Sequence, residues 1–72
     1  MAQLKTYRVW YHDESMRIVS QEDHRSAAGE AQELAGLENS CAPDKGSADY
    51  KKRCRVARTE CLTDGTETKW KL

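Results

Sequence analysis

"YRVWYHDESMRIVSQEDH", residues 7–24, decides the fold. Apolar and polar residues alternate, the alternation breaks at Asp13-Glu14, and it then resumes. Alternation with period two on either side of a polar break predicts a β-hairpin. With Asp13-Glu14 as a two-residue loop, His12 faces Ser15, Tyr11 faces Met16 and Val9 faces Ile18. Tyr7, Val9, Tyr11, Met16 and Ile18 then share one face, which reads as a core. The other face carries Arg8, Trp10, Arg17 and Val19, with Trp10 opposite Arg17 and Arg8 opposite Val19. Asp13-Glu14 is not one of the Asn-Gly or Asp-Gly pairs that tight hairpins favour, so a loop longer by a residue or two is the alternative.

A helix follows. Asp23 or Ser26 is placed to cap it by accepting from its first free amides. Ala27, Ala31, Leu34 and Ala35 recur at helical spacing and form a narrow stripe of small side chains. Gly29 weakens the helix by roughly 1 kcal/mol relative to Ala. Gly36 reads as the stop, with Leu37 folding back on the stripe. The outward positions Glu30, Gln32 and Glu33 lack basic partners four residues on, which leaves an acidic, solvated face. Residues 38–49, "ENSCAPDKGSAD", show no periodicity and read as a long loop with turn chemistry at Pro43-Asp44 and Gly46.

The last stretch, "DYKKRCRVARTECLTDGTETKWKL", holds an Asp64-Gly65 hairpin signal. Counting outward pairs Cys61 with Thr68, Thr59 with Trp70, Glu60 with Lys69 and Arg58 with Lys71. One face then holds Ala57, Thr59, Cys61, Thr68, Trp70 and Leu72. Tyr50, Cys54 and Val56 fall out of step with Ala57, Thr59 and Cys61. Either a bulge near Val56-Ala57 returns Arg53 and Arg55 to solvent, or the strand starts near Val56. The whole gives a single domain over residues 1–72 of α+β class: a two-layer ββαββ arrangement, a four-stranded antiparallel sheet in the order 2-1-3-4 with one helix on one face.

Composition narrows the function. The chain has 72 residues and no net charge. Such a chain buries only about 60% of its unfolded surface, so its core is small. No apolar run is long enough to span a membrane. The start lacks the features of a signal peptide, so the expectation is a cytoplasmic protein. The charge is uneven: residues 50–72 hold seven basic and three acidic side chains, residues 25–49 two and five. Three cysteines, Cys41, Cys54 and Cys61, with His12 and His24, raise the question of zinc. No CxxC or HxxxH pair is present, so no metal and no cofactor is expected. The same histidines and cysteines show no spacing that suggests a nucleophile and base, so no catalytic residue is expected.

The helix covers only one side of the sheet. The uncovered side is expected to show Trp10 with Arg8, Arg17, Arg58, Lys69 and Lys71, and with Arg53 and Arg55 if the bulge exists. Trp and Arg are the residues most enriched at binding hot spots, which favours a protein partner. Trp10 also has a plain structural use, stiffening the hairpin against Arg17. Single-stranded nucleic acid on the basic face is the second reading. The acidic helix face with Glu30 and Glu33 is an alternative partner surface, and a structural subunit docking through loop 38–49 is a third reading.

The strand pair, the helix "EDHRSAAGEAQELAG" and the basic return strand resemble small phage-encoded inhibitors of host machinery, of the RNA polymerase inhibitor and anti-CRISPR kinds. The resemblance spans roughly residues 4–62 and lies in element order, with no shared motif to carry residue roles. This chain adds the long central loop and the Asp-Gly hairpin. The resemblance implies a non-catalytic inhibitor that contacts a bacterial protein complex handling nucleic acid, in the cytoplasm of a bacterial host.

Overall fold

The loop that closes the first hairpin has three residues. In the computed structural model, which describes residues 3–71, β1 runs Lys5–Tyr11 and β2 runs Met16–Gln21. The Tyr11 N–H donates to the Ser15 carbonyl at 2.9 Å and the Glu14 N–H to the Tyr11 carbonyl at 3.1 Å. Glu14 closes the loop with a left-handed φ of 73°, the conformation that three-residue hairpin loops place at their last position. The Asp13 carboxylate steadies it by accepting from the Ser15 amide at 3.0 Å and the Ser15 hydroxyl at 2.5 Å.

One added loop residue shifts the pairing by one. Tyr7 lies opposite Val19, Arg8 opposite Ile18, Val9 opposite Arg17 and Trp10 opposite Met16. Since side chains alternate, this slip moves every residue of β2 to the other face. The expected core positions of Met16 and Ile18 are therefore corrected: they stand 49% and 50% exposed, while Val19 is 5% exposed in the core. Arg17 moves to the helix side with Val19.

β3 (Val56–Cys61) pairs with β1, and β4 (Glu67–Lys69) with β3, so the antiparallel sheet has the order β2-β1-β3-β4. A bulge lies at the expected place, but β3 also starts at Val56, as the alternative had it, so no strand upstream needed the bulge. Trp10 pairs with Arg58 and Tyr11 with Val56, which leaves Ala57 as the extra residue. The second hairpin slips by two from the expected register. Cys61 meets Thr66, whose carbonyl accepts its N–H at 2.8 Å, and Thr59 meets Thr68. Gly65 supplies the left-handed φ of 78° that this loop needs. A two-residue slip keeps each side chain on its face, so the expected core residues Thr59 and Cys61 remain buried. Leu72, expected on the same face, lies outside the described residues.

Helix α1 (His24–Glu38) begins where Asp23 accepts from the Ser26 amide at 2.7 Å. It does not stop at Gly36. It runs two residues further, to Glu38, and is capped by Asn39, whose backbone and side-chain N–H groups both donate to the Ala35 carbonyl. Leu37 therefore stays helical and 66% exposed, and does not fold back. Ala27, Ala28, Ala31 and Ala35 are the buried face. Their small side chains bring the helix close enough for the Tyr11 hydroxyl to donate to the Ala31 carbonyl at 2.6 Å. The core joins these alanines to Tyr7, Val9, Tyr11, Val19, Val56 and Cys61. Burial pushes the Tyr7 phenol up to about 12.

A second helix, α2 (Ala48–Cys54), occupies what the sequence pattern assigned to a loop and an early strand. Ser47 caps it, accepting from the Tyr50 amide at 3.1 Å. Asp49 in its first turn and Lys51, Lys52 and Arg53 in its last complement the helix dipole. It buries no residue, so no apolar periodicity marked it.

A hydrogen-bond chain ties α1 to the second hairpin. Trp70 Nε1 donates to Thr59 Oγ1 at 3.2 Å, and the Thr66 hydroxyl donates to Asp64 Oδ1 at 2.6 Å. His24 Nε2 lies 2.7 Å from Thr66 Oγ1 and His24 Nδ1 2.7 Å from Thr59 Oγ1. The Thr66 hydrogen is committed to Asp64, so Nε2–H must donate to Thr66. In the neutral ring Nδ1 then accepts the Thr59 hydroxyl.

Two measurements check this fold. Val19→Ala should cost about 2 kcal/mol in urea denaturation, as a core truncation does, while Ile18→Ala should stay within about 0.5 kcal/mol; the reverse order would restore the two-residue loop. Acid should also destabilise the protein. The Thr66 hydroxyl and amide hold Asp64 below the usual carboxylate range, the Ser26 amide does so for Asp23, and Arg53 for Asp44. Their stabilisation is complete above an ordinary carboxylate pKa of about 3.9 and fades as pH falls below it. Circular dichroism during urea unfolding should show the loss between about pH 4 and pH 2, and Asp64→Asn should flatten it.

Candidate interaction face

Register places two rows of side chains across the uncovered side of the sheet. Reading from β2 to β4, one row is Ile18, Arg8, Glu60 and Glu67. The next is Met16, Trp10, Arg58 and Lys69. Leu62, one step past β3 and donating its N–H to the Thr6 carbonyl at 2.8 Å, is 47% exposed. The face thus has an aliphatic margin along β2, a middle strand bearing Arg8 and Trp10, and an ionic half on β3 and β4.

The indole is held from two sides. Trp10 Nε1 donates to Glu60 Oε1 at 2.7 Å, and the Arg58 guanidinium lies 4.9 Å from the ring centroid. Such a cation–π contact is worth about 0.5–1 kcal/mol at an exposed site. Arg58 takes the role expected of Arg17, because the slipped first hairpin puts Met16 opposite Trp10 on one side and the β1–β3 register puts Arg58 opposite it on the other. Arg58 is also shared between Glu60 at 3.7 Å and Glu67 at 3.6 Å. Trp10 is half-buried, so its ring is a fixed ledge.

The expected basic cluster is not assembled. Arg8, Arg58 and Lys69 are on the face, and Lys71 is exposed beyond β4. Arg17 sits on the helix side, paired with Glu38. Arg53 belongs to α2, where it donates to both oxygens of Asp44 at 3.1 and 2.8 Å and to Asn39 at 2.8 Å. Arg55 caps α2 and is exposed, and its carbonyl accepts the His12 N–H at 3.1 Å. Glu60 and Glu67 offset two of the three cations on the two rows. Arg8 has no ion pair among the described residues, and its Nε is out of solvent contact without a hydrogen-bond partner. On the far side of the molecule, Glu30 accepts from Gln21 Nε2 and Glu33 is exposed.

At the bulged end an open depression of about 530 Å3 is lined by Trp10, Tyr11, His12, Glu14, Ala57 and Arg58. His12 Nε2 is buried there without a partner. The cysteines are free, with Cys41 exposed, Cys54 half-buried and Cys61 buried. Among the described residues no group of His, Cys, Asp and Glu is arranged to hold a metal ion, and no helix is long and apolar enough to cross a membrane.

Met16, Arg17, Ile18 and Val19 were all placed on the wrong face by the sequence pattern. The available signal was the glycine-free loop, which permits a three-residue closure as readily as a two-residue one. No protein-family model, curated protein or solved structure matches this chain.

Trp10→Phe tests whether the indole is held as described. It keeps a ring under Arg58 but removes the donor to Glu60, and it should cost about 1 kcal/mol in urea denaturation. Unchanged stability would mean that the Glu60 contact contributes nothing.

Proposed function

We propose that this chain is a non-enzymatic binding protein that acts by protein–protein contact through the open sheet face. One observation carries the reading: a half-buried tryptophan fixed by Glu60 and Arg58 stands beside two half-exposed aliphatic side chains, Met16 and Ile18. A rigid aromatic anchor with an apolar margin and a charged rim is the composition of a protein-binding hot spot. The resemblance to small phage-encoded inhibitors makes a bacterial nucleic-acid machine, an RNA polymerase or a CRISPR effector, the class of partner to test first. On that reading the protein works in the cytoplasm of a bacterial host cell.

Direct nucleic-acid binding is the weaker reading. Arg58 already occupies the neighbourhood of the indole ring, which leaves the face no free stacking surface for bases. Arg17, Arg53 and Arg55, which were to supply the charge, lie elsewhere.

The test is affinity capture from bacterial lysate with the wild-type chain and with Met16→Asp/Ile18→Asp. Both positions are half-exposed, so the double variant should remain folded by circular dichroism. Capture of a stable partner by the wild type and its loss in the variant is the expected result. Equal capture by both would move the site to the acidic helix face or to residues 38–49.

A further inference from the structure

The rows on the open face assign a chemistry to the partner. Counted across the two rows, Arg8, Arg58 and Lys69 oppose Glu60 and Glu67. The surplus cation has a definite place. Arg58 lies between both glutamates, whereas Arg8 faces Ile18 on one side and Glu60 on the other without an ion pair to it. Glu60 is turned toward the Trp10 indole and Arg58. Arg8 is thus a guanidinium without an ion pair, set between an aliphatic margin and an indole; its Nε is covered by the protein, so its terminal nitrogens are what a partner meets. A guanidinium in that condition is completed by a carboxylate, which accepts its hydrogen bonds and its charge together.

We propose that the open face receives an acidic, aliphatic segment of another protein, with a carboxylate on Arg8 and apolar side chains on Ile18 and Met16. The proposal rests on the binding reading above and specifies its partner. A second copy fits less well. Isologous docking about a two-fold axis through this patch brings Arg8 toward its own equivalent, a like-charge contact. Docking the face on the acidic helix of another copy is heterologous and leads to rings or open filaments rather than a two-fold pair. Nucleic acid fits less well because the margin is aliphatic and the indole of Trp10 is already covered by Arg58, which leaves no free stacking surface.

The test is a nitrogen-15 NMR titration with defined probes. One is a peptide of alternating Leu and Glu, the second its Leu and Lys counterpart, and the third an oligothymidylate. The Leu/Glu peptide should shift the Arg8 Nε–Hε resonance and the amides of β1 and β2. The Leu/Lys peptide should leave them unmoved. Arg8→Ala should weaken Leu/Glu binding by roughly fivefold or more, the range for a charge-assisted contact, and added salt should weaken it in the wild type. Ile18→Asp, which keeps Arg8, should weaken it as well.

Equal shifts with the lysine peptide, shifts away from the face, or no shifts at millimolar peptide would each overturn the proposal. Stronger shifts of the same residues by oligothymidylate would replace it with nucleic-acid binding. Concentration-dependent shifts without any probe would replace it with self-association. If lysate capture depends on Met16 and Ile18 while the titration fails, the face binds but its partner is not acidic. If capture is independent of both residues, the open face is not the binding site and this proposal falls with that reading.

Discussion

Side chains alternate across a β-sheet with a period of two, and the parity of the pairing between β1 and β2 governs the rest of this molecule. One loop residue sets that parity. With Glu14 in a left-handed conformation, Tyr11 closes on Ser15, Val19 enters the core, and Met16 and Ile18 face outward. The second hairpin shows the contrast. Its register differs by two from the simplest count, and no side chain changes face. What changes is the ionic pattern, since Glu60 lies opposite Glu67 and Arg58 sits between them instead of two separate Glu–Lys and Arg–Lys rows. An odd slip rewrites which surface is a core, and an even slip rewrites only who is paired on it.

The parts of the fold legible in the sequence were those with strong periodic or turn chemistry. Alternation gave the strands, the alanine spacing gave α1, Asp64-Gly65 gave the second hairpin, and the parity conflict at Val56-Ala57 gave the bulge. Three things stayed hidden, each for a physical reason. A glycine-free loop does not announce its length, because left-handed backbone at Glu14 is uncommon for a residue with a side chain. Gly36 did not end α1, because Asn39 satisfies the final carbonyls better placed for it. Helix α2 carries no apolar face, and only Ser47, Asp49 and the Lys51–Arg53 run marked its ends. Of the candidate face, Trp10, Arg8, Arg58 and Lys69 were foreseen. Arg17, Arg53 and Arg55 were not separable from them without the register and α2.

The core shows why a single helix suffices. Four alanines let α1 approach until the Tyr11 hydroxyl reaches the Ala31 carbonyl, and Tyr7 reaches the Glu22 carbonyl, just before the helix, at 3.4 Å. These phenols bury their rings and keep their polar ends satisfied, which an aliphatic core of the same volume would not require. The His24 chain fixes the other end of the helix to the Thr66 turn. With the helix side closed in this way, nothing on the opposite side of the sheet is needed to complete the core.

An open face with an aliphatic edge strand ordinarily invites edge-to-edge pairing. Arg17 bears on that hazard. The same parity that exposes Ile18 turns Arg17 inward from the edge strand, where Glu38 holds it. An inward charge on an edge strand penalises a further strand laid against it, because the newcomer would have to bury that ion pair beside the core. The backbone edge of β2 is thereby defended while its outward side chains stay free. Met16 and Ile18 are left available for contact from above the sheet rather than from its margin, which is the approach that also reaches Arg8 and Trp10.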